Sequence, residues 1–360
     1  MTSSNQPLMF VSSYVPAAEP GIQAYRFDDS TGALAACGSC TGITNPGYLV
    51  VHPNRRWLYA VSETSQASDG TFGAVWAVRF EPEPFSVQPI NHQSSRGDAP
   101  CHLRLDSTGR WLFVANYTSG SAGVLPIQED GSLGDLTDLV QHHGHGPNAD
   151  RQEGPHAHST IVTADNRFVI VADLGLDQLV IYRFDAQAGK LHPHSQGAAR
   201  PGAGPRHTVF HPGGQILYVA NELDSTVAAY DYDAAGGTLR ERQTLDMLPA
   251  GAPENTAADI HLSASGKRLY ASNRGHNSIA VYEVDPAGRL ARLGVVSCGG
   301  NWPRNFALAP GGRHMLVANQ YSGDVSVLPL NEGGAQIGAE IGAPVTSAAV
   351  PQAACIQFVA

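Results

Sequence analysis

The stretch WLFVANY (residues 111–117) decides the fold, because it is one of seven similar stretches in the chain. Each stretch has a short apolar run that leads into small and polar residues. The seven copies are LMFVSSY (8–14), WLYAVSE (57–63), WLFVANY (111–117), FVIVADL (168–174), ILYVANE (216–222), RLYASNR (268–274) and HMLVANQ (314–320). They recur at intervals of about fifty residues, which indicates that the chain repeats one supersecondary unit.

The sequence around each copy predicts what that unit is. A turn rich in Gly, Asn or Ser lies just upstream, as in HPGGQ (211–215), and another short strand, often opened by Pro, precedes the turn. An alternating segment such as QLVIYRFD (178–185) follows, and a variable fourth segment ends the unit. Four antiparallel strands repeated radially form a β-propeller blade. We therefore predict an all-β fold, a seven-bladed β-propeller of four-stranded antiparallel blades, in one domain spanning residues 1–360.

The two ends of the chain predict how the ring of blades closes. The first copy (8–14) has no strand before it to begin its blade. The carboxyl end, VPQAACIQFVA (350–360), reads as a first strand with no second strand after it. We expect this carboxyl-terminal strand to pair beside residues 8–14 and complete the first blade, which removes two exposed strand edges.

The charge of the chain argues against two classes of partner. It has 22 Lys and Arg against 32 Asp and Glu, a formal net charge of −10, and no basic run. Nucleic-acid binding needs a basic footprint and a membrane span needs a run of about 18 apolar residues, so we expect neither nucleic acid nor membrane as a partner. The amino end lacks the basic-then-apolar pattern of a secretion signal, which predicts a cytoplasmic protein.

Aligning the blades predicts a site at the mouth of the central channel where the first strands begin. One column of the alignment lies just past the Pro that opens those strands, and a second column holds the last residue of each apolar stretch. The first column is Gly47, Cys101, His158, Arg206, Ala258, Arg304 and Gln352, and the second is Tyr14, Glu63, Tyr117, Leu174, Glu222, Arg274 and Gln320. Unlike charges around one closed rim indicate an anionic ligand and general acid–base chemistry.

Other polar residues have structural explanations. Asn or Asp recurs at one blade position, as expected for a hydrogen bond at a strand end, in Asn116, Asp173, Asn221, Asn273 and Asn319. A further set, His102, His207 and His261, fits a core role and a supporting role in the site equally well.

Metal binding is the rival explanation for the histidines of GPHAHST (154–160) and QHHGHGPNAD (141–150). His156 and His158 are two apart on a strand and could share an ion with His142, His143 or His145. No carboxylate or cysteine keeps a fixed spacing with them, so we expect neither a metal nor another cofactor. The loop 141–153, by its length and position, is expected to cover the site.

A resemblance to a known family rests on six phrases that extend over essentially the whole chain. They are GPHAHS (154–159), ADLGLD (172–177), GPRH (204–207), VANEL (219–223), SNRGHNSIAVY (272–282) and WPRNF (302–306). They resemble the lactonase family of seven-bladed propellers, which includes a bacterial type of 6-phosphogluconolactonase and the fungal 3-carboxy-cis,cis-muconate lactonizing enzyme. For the muconate branch, the resemblance implies a catalytic set of His158, Arg206, Glu222 and Arg274.

Together, the alignment and the resemblance predict a hydrolase for a small anionic lactone, namely 6-phosphogluconolactone of the pentose phosphate pathway. His158 or Glu222 would take the proton of the attacking water, and Arg206 or Arg274 would stabilise the oxyanion. The residues expected to bind substrate are His156, His207, Arg304 and Gln352. Two alternatives stay open: a muconate-type cycloisomerase or hydrolase of another lactone, and a non-catalytic propeller that binds a ligand or a protein.

Overall fold

The computed structural model describes residues 6–65, 73–334 and 337–359, and its ordered elements are almost all β-strands. The predicted domain ends, at residues 1–5 and 360, lie outside the described residues. The strands of the first four blades are β1 Leu8–Ser13, β2 Ile22–Asp28, β3 Ala33–Cys40, β4 Leu49–Val51, β5 Trp57–Ser62, β6 Ala74–Pro82, β7 Phe85–Ser94, β8 Pro100–Leu105, β9 Trp111–Asn116, β10 Ser121–Pro126, β11 Asp138–Gln141, β12 Ala157–Val162, β13 Phe168–Asp173, β14 Gln178–Asp185 and β15 Lys190–Ala198.

The remaining elements continue the same series. They are β16 Pro205–Phe210, β17 Ile216–Asn221, β18 Thr226–Asp233, β19 Thr238–Asp246, β20 Thr256–Leu262, β21 Arg268–Arg274, β22 Ser278–Val284, β23 Leu290–Ser297, β24 Pro303–Leu308, β25 His314–Asn319, β26 Asp324–Pro329, the single helical turn α1 Ile337–Glu340, β27 Thr346–Ala349 and β28 Ala353–Phe358. Within the described ranges, no helix combines the length and hydropathy that crossing a bilayer requires.

The strands form seven four-stranded antiparallel sheets, which confirms the predicted propeller. Six sheets contain four consecutive strands, from β4–β7 to β24–β27. The seventh has the order β28-β1-β2-β3, so the carboxyl-terminal strand completes the first blade as expected. Phe10 of β1 pairs with Gln357 of β28. The first strands of neighbouring blades contact one another around the whole ring, which leaves a channel at its centre.

The repeated apolar stretch is the second strand of every blade. It does not alternate between apolar and polar residues, and this has a physical cause. Five of these strands, including β9 and β17, are buried at every residue, because both faces of each sheet pack against neighbouring blades. The core is accordingly divided into seven apolar clusters, and each one joins two adjacent blades. The seven-fold stacking of blades is therefore the main source of buried apolar surface.

The turn between the first and second strands also repeats. In six blades it contains one residue in the left-handed region, at Arg55, Gly109, Asn166, Gly214, Gly266 and Gly312. The Gly and Asn positions follow the sequence prediction, because these residues adopt positive φ at least cost. In HPNRR the left-handed residue is Arg55 and not Asn54, whose Oδ1 instead accepts the Arg56 backbone N–H at 3.0 Å.

Candidate active site

A β-bulge at the start of the first strands aims side chains into the channel. In β12 the pairing with β13 runs from Ala157 directly to Ser159, so His158 is left out of the ladder. The same shift leaves out one residue in β8, β16 and β24, namely Cys101, Arg206 and Arg304, and two in β20. An unpaired bulge residue can be turned away from the sheet toward a site. Five of the seven residues in the first column of the alignment are therefore bulge residues; Gly47 precedes β4 and Gln352 precedes β28.

The closing blade departs from that alignment. The ladder between β28 and β1 passes from Ala353 to Cys355, so the residue at the bulge position is Ala354, not Gln352. Gln352 precedes the strand in an exposed turn with φ of 51°, and its side chain lies 3.5 Å from that of Gln320. It lies near the channel mouth but outside the ring of bulges.

Glu222 is the centre of the first charged cluster. Its Oε2 accepts a hydrogen bond from Arg206 Nε at 2.9 Å and lies 2.8 Å from Arg274 Nη2. Its Oε1 accepts a hydrogen bond from Arg151 Nη2 at 2.7 Å. Glu222, Arg206 and Arg274 are each at most 5% exposed. Buried ions need partners of this kind, because an unpaired charge out of water is very costly.

The arginines determine the protonation state of Glu222. Burial acts to raise the pKa of this carboxyl group, but Arg274 and Arg206, followed by Arg151, outweigh it and hold the pKa well below its usual range. Burial is also the main reason that the pKa of Arg274 falls to about 10. At neutral pH the group is thus an ionised carboxylate among charged guanidiniums. A carboxylate so strongly stabilised is a poor acceptor for a proton from water.

His158 faces the same cluster in its neutral form. Its Nε2 lies 4.0 Å from Glu222 Oε2, and its Nδ1 lies 3.8 Å from the Cys101 thiol. Burial, reinforced by Arg206 and other nearby cations, holds the pKa of His158 well below its usual value. A neutral imidazole with a ring nitrogen free of short hydrogen bonds can accept a proton, and its pKa would rise toward the usual value once a bound anion balances the cations that lower it.

A second charged cluster lies around Arg304. Its guanidinium is positioned over the ring of Tyr14, 4.8 Å from the centroid, and its Nη2 is 3.8 Å from Glu63 Oε1. Tyr14 donates its hydroxyl to Glu63 Oε2 at 2.6 Å. Gly47, the first-column residue of the second blade, makes room for this pair. A Cβ added there would lie 2.3 Å from Glu63 Oε2 and 2.7 Å from the Tyr14 hydroxyl.

The other predicted residues surround these clusters. His156 stacks on Tyr117 with 4.6 Å between ring centroids, and its Nδ1 lies 3.0 Å from the Tyr117 carbonyl oxygen. His207 follows the bulge residue Arg206 and lies deeper in the channel, where it packs edge-on against His158 at 5.4 Å. The structure thus brings together His156, His158, Arg206, Glu222, Arg274 and Arg304, with His207 behind them.

The alignment of blades missed Arg151 and gave Tyr14 and Glu63 no part in the site. Arg151 comes from the long loop before β12, which has no counterpart in the other blades; the expectation that the loop 141–153 covers the site was the one available signal. Tyr14 and Glu63 stand in the second column, but nothing in the sequence alone paired them with Arg304. Their contact crosses from the first blade to the second and to the seventh.

The histidines proposed as a metal site do not converge. His142 is buried and forms a close contact, 2.5 Å, between its Nδ1 and Asp173 Oδ2, whereas His143 and His145 are exposed. Among the described residues, no group of three or more His, Cys, Asp or Glu side chains is arranged to hold a metal ion.

The chain is similar to known proteins along nearly its whole length. The family model described as "Lactonase, 7-bladed beta-propeller" matches residues 8–358. The 6-phosphogluconolactonase of Bacillus subtilis is 34% identical over 351 residues, covering 97% of each chain, and that of Formosa agariphila is 31% identical over 326 residues, covering 89% of this chain and 91% of the relative. The solved structure of the periplasmic gluconolactonase of Pseudomonas aeruginosa matches with a TM-score of 0.92 at 33% identity and covers 99% of both chains.

These findings agree with the resemblance drawn from the sequence motifs. The family model and the names of the relatives indicate a lactone-hydrolysing enzyme. The chain belongs to the lactonase family of seven-bladed β-propellers.

Proposed function

We propose that this protein hydrolyses 6-phospho-D-glucono-1,5-lactone to 6-phosphogluconate. The observation that carries the proposal is the charge of the channel mouth. In the two charged clusters, four guanidiniums (Arg151, Arg206, Arg274 and Arg304) face two carboxylates (Glu63 and Glu222), so four positive charges less two negative ones leave +2. A third carboxylate, Glu153 beside His156, lies at the rim with 61% of its side chain exposed, where water screens its charge. A phosphate monoester carries about −1.5 to −2 at pH 7 and would balance the net charge of the clusters. A neutral sugar lactone would leave it unbalanced.

His158 is the proposed general base. It would take a proton from the water that attacks the lactone carbonyl carbon, which forms the new C–O bond as the carbonyl electrons move to oxygen. Collapse of this tetrahedral species breaks the ring C–O bond, and the proton passes to the departing ring oxygen. Glu222 fits a different role. Its oxygens already accept hydrogen bonds from Arg206 and Arg151 and contact Arg274, so it would hold these cations in place.

Arg274 is the proposed donor to the developing oxyanion. All its hydrogen bonds within the described chain are made by Nη2, to Glu222 and to the Ala257 carbonyl oxygen, and its Nε has no partner there. Arg206 has fewer donors left for a substrate, because its Nε donates to Glu222 and its Nη1 donates to the Ala258 carbonyl oxygen at 2.7 Å. Arg304 is 19% exposed, and its carboxylate partner, Glu63, lies 3.8 Å away. We therefore assign binding of the substrate phosphate to Arg304, together with Arg151.

The pathway and the compartment belong to the same proposal. A phosphorylated lactone is a charged intermediate that stays inside the cell, which supports a cytoplasmic enzyme of the pentose phosphate pathway. The second candidate substrate is the unphosphorylated gluconolactone. The likeness to the periplasmic gluconolactonase of Pseudomonas aeruginosa favours it.

The test is hydrolysis of freshly generated 6-phosphogluconolactone, measured against its spontaneous rate and with chelator present. We expect clear acceleration, a loss of about 10²–10⁴ in kcat/KM for His158→Ala, and a much smaller loss for the control His156→Ala. Arg304→Gln should mainly raise KM for the phosphorylated lactone and leave hydrolysis of gluconolactone unchanged.

Three other results would overturn the proposal in different ways. Faster turnover of gluconolactone than of its phosphate ester would shift the substrate to the unphosphorylated lactone. Failure to accelerate either hydrolysis, combined with cyclisation of 3-carboxy-cis,cis-muconate, would identify a cycloisomerase. Failure of all three reactions would favour the binding propeller.

A further inference from the structure

A cavity lies in the channel, at the end opposite Glu222. Its volume is about 380 Å³, and its walls come mostly from the later halves of the first strands and the turns that follow them. The titratable residues in these walls are Tyr48, His102, Arg104, His207, His211, Tyr232, Asp259 and His261. We call this space the distal cavity. None of the residues that contact Glu222 lines it, and His207 stands between the two sites.

The lining of the distal cavity holds one carboxylate, Asp259, and one guanidinium, Arg104. Both oxygens of Asp259 are already engaged, Oδ1 by His207 Nδ1 at 2.8 Å and the Ile260 backbone N–H at 3.0 Å, and Oδ2 by His261 Nε2 at 2.9 Å. Arg104 is exposed and has no carboxylate within 4 Å among the residues that the structure describes. The guanidinium is therefore free to pair with an anion in the cavity, while the carboxylate has its partners within the protein.

One neutral donor accompanies this guanidinium. The Thr160 backbone N–H donates to His102 Nδ1 at 3.3 Å. Burial holds the pKa of His102 well below its usual value, so the ring is neutral. Because Nδ1 accepts, the proton of the neutral ring must be on Nε2, which makes Nε2 a donor.

We propose that the distal cavity binds a small oxyanion, a carboxylate or a phosphate, through the Arg104 guanidinium and the Nε2–H of His102. The cavity has room for a molecule the size of a small metabolite. Apolar contacts come from Tyr48, Ile161 and Phe210, which also line it. The site is separate from the proposed lactone site and does not depend on which lactone that site takes.

The experiment follows the histidine rings by NMR in full-length protein labelled at imidazole carbon. Sodium phosphate and sodium acetate are titrated in separate arms at fixed pH, with ionic strength held constant by sodium chloride. We expect the His102 and His261 signals to shift and saturate with at least one of the two anions. Arg104→Gln should weaken this binding roughly tenfold, because it removes a charged hydrogen bond. The control Arg110→Gln, an exposed arginine in the turn after β8, should leave it unchanged.

A second variant separates the two ends of the channel. Arg304→Gln removes a cation of the lactone site and should leave the shifts of His102 and His261 intact. The proposal is overturned if only the His156 and His158 signals respond, if sodium chloride alone produces the same shifts, or if Arg104→Gln binds as tightly as wild type. Saturation with phosphate only, or with acetate only, supports the site and identifies the anion.

Discussion

At the scale of single residues, the site depends on the protonation states of Glu222, which holds the arginines in place, and of His158, the proposed base. Burial acts to raise the pKa of the carboxyl group, but Arg274, Arg206 and Arg151 outweigh it and keep the group ionised. The imidazole is neutral because burial, reinforced by Arg206 and other nearby cations, lowers its pKa. Arg206 and Arg274 therefore act on both protonation states. The distance of 4.0 Å between His158 Nε2 and Glu222 Oε2 leaves the ring free of a strong hydrogen bond.

Binding of an anion should change the pKa of His158. The cations that lower this pKa would be partly balanced by a bound phosphate, so the pKa should rise in the complex. An NMR titration of the His158 ring, in the free protein and in protein saturated with 6-phosphogluconate, would measure it. In Arg304→Gln the pKa of the free protein should already be raised. Equal pKa values in the free and bound states would contradict this account.

Removing the charge of Glu222 should destabilise the protein strongly. Glu222→Gln leaves Arg206 and Arg274 buried without an anionic partner, and breaking a buried pair in this way typically costs about 3–5 kcal/mol. Urea unfolding would measure the loss. The control Glu63→Gln, whose side chain is 18% exposed, should cost no more than about 1 kcal/mol. Similar losses of unfolding free energy for the two variants would mean that burial does not increase the cost of removing the Glu222 carboxylate.

The sequence allowed most of these residues to be predicted, because each occupies a repeating blade position. Arg151 could not be found this way, since it lies in a loop that only one blade has. Gln352 was aligned two residues too early, because it directly follows Pro351 as Cys101 and Arg206 follow the Pro of their strands; β-sheet pairing places Ala354 at the bulge instead. The protonation of His158 depends on arginines from other blades, so the sequence around it does not reveal it.

At the scale of the strand, the recurring Asn at the end of the second strand supports the blade. Asn116, Asn221 and Asn273 each donate from Nδ2 to the hydroxyl of a Ser or Thr five residues later, at 2.9 to 3.2 Å. Asn319 makes the equivalent bond to Ser326 Oγ at 2.9 Å. The predicted structural hydrogen bond is therefore confirmed. Asp173 uses its carboxylate differently, accepting the His156 backbone N–H at 2.8 Å.

Replacing one of these residues should affect stability and not activity. Asn319→Ala removes a buried hydrogen bond in the seventh blade, and we expect the free energy of unfolding to fall by about 1–3 kcal/mol. Chemical denaturation gives this value, and kcat/KM should stay at the wild-type level. Asn331→Ala, at an exposed turn, is the matched control and should change neither quantity. A loss of activity without a loss of stability would assign Asn319 to the site.

At the scale of the whole molecule, the ring is held closed by one pairing between the two ends of the chain. β28 contributes four residues that are at most 1% exposed, Ala353, Ala354, Cys355 and Ile356. It also pairs with β1 along most of that strand. Its first four residues are thus part of the core and of the channel wall at once.

Shortening the chain to end at Gln352 should therefore prevent a stable ring from forming. The truncation exposes an edge of β1 and opens the apolar clusters on both sides, a loss comparable with the whole stability of a domain, about 5–15 kcal/mol. Thermal unfolding and gel filtration should show little folded monomer. A chain ending at Phe358 is the control and should lose only about 1 kcal/mol, from the bond between Val359 N–H and the Leu8 carbonyl oxygen. A cooperative, monomeric truncation product would contradict the role given to β28.

The bulges at the start of the first strands have a consequence for how such a protein can change. A bulge residue takes no part in the ladder, so exchanging it leaves the pairing of its sheet intact. His158, Arg206, Arg304, Cys101 and Ala354 show that the position accepts a base, a cation, a thiol or a methyl group. Substitutions at these positions could thus change the substrate specificity of the channel one blade at a time, while the strand pairing of each blade stays the same.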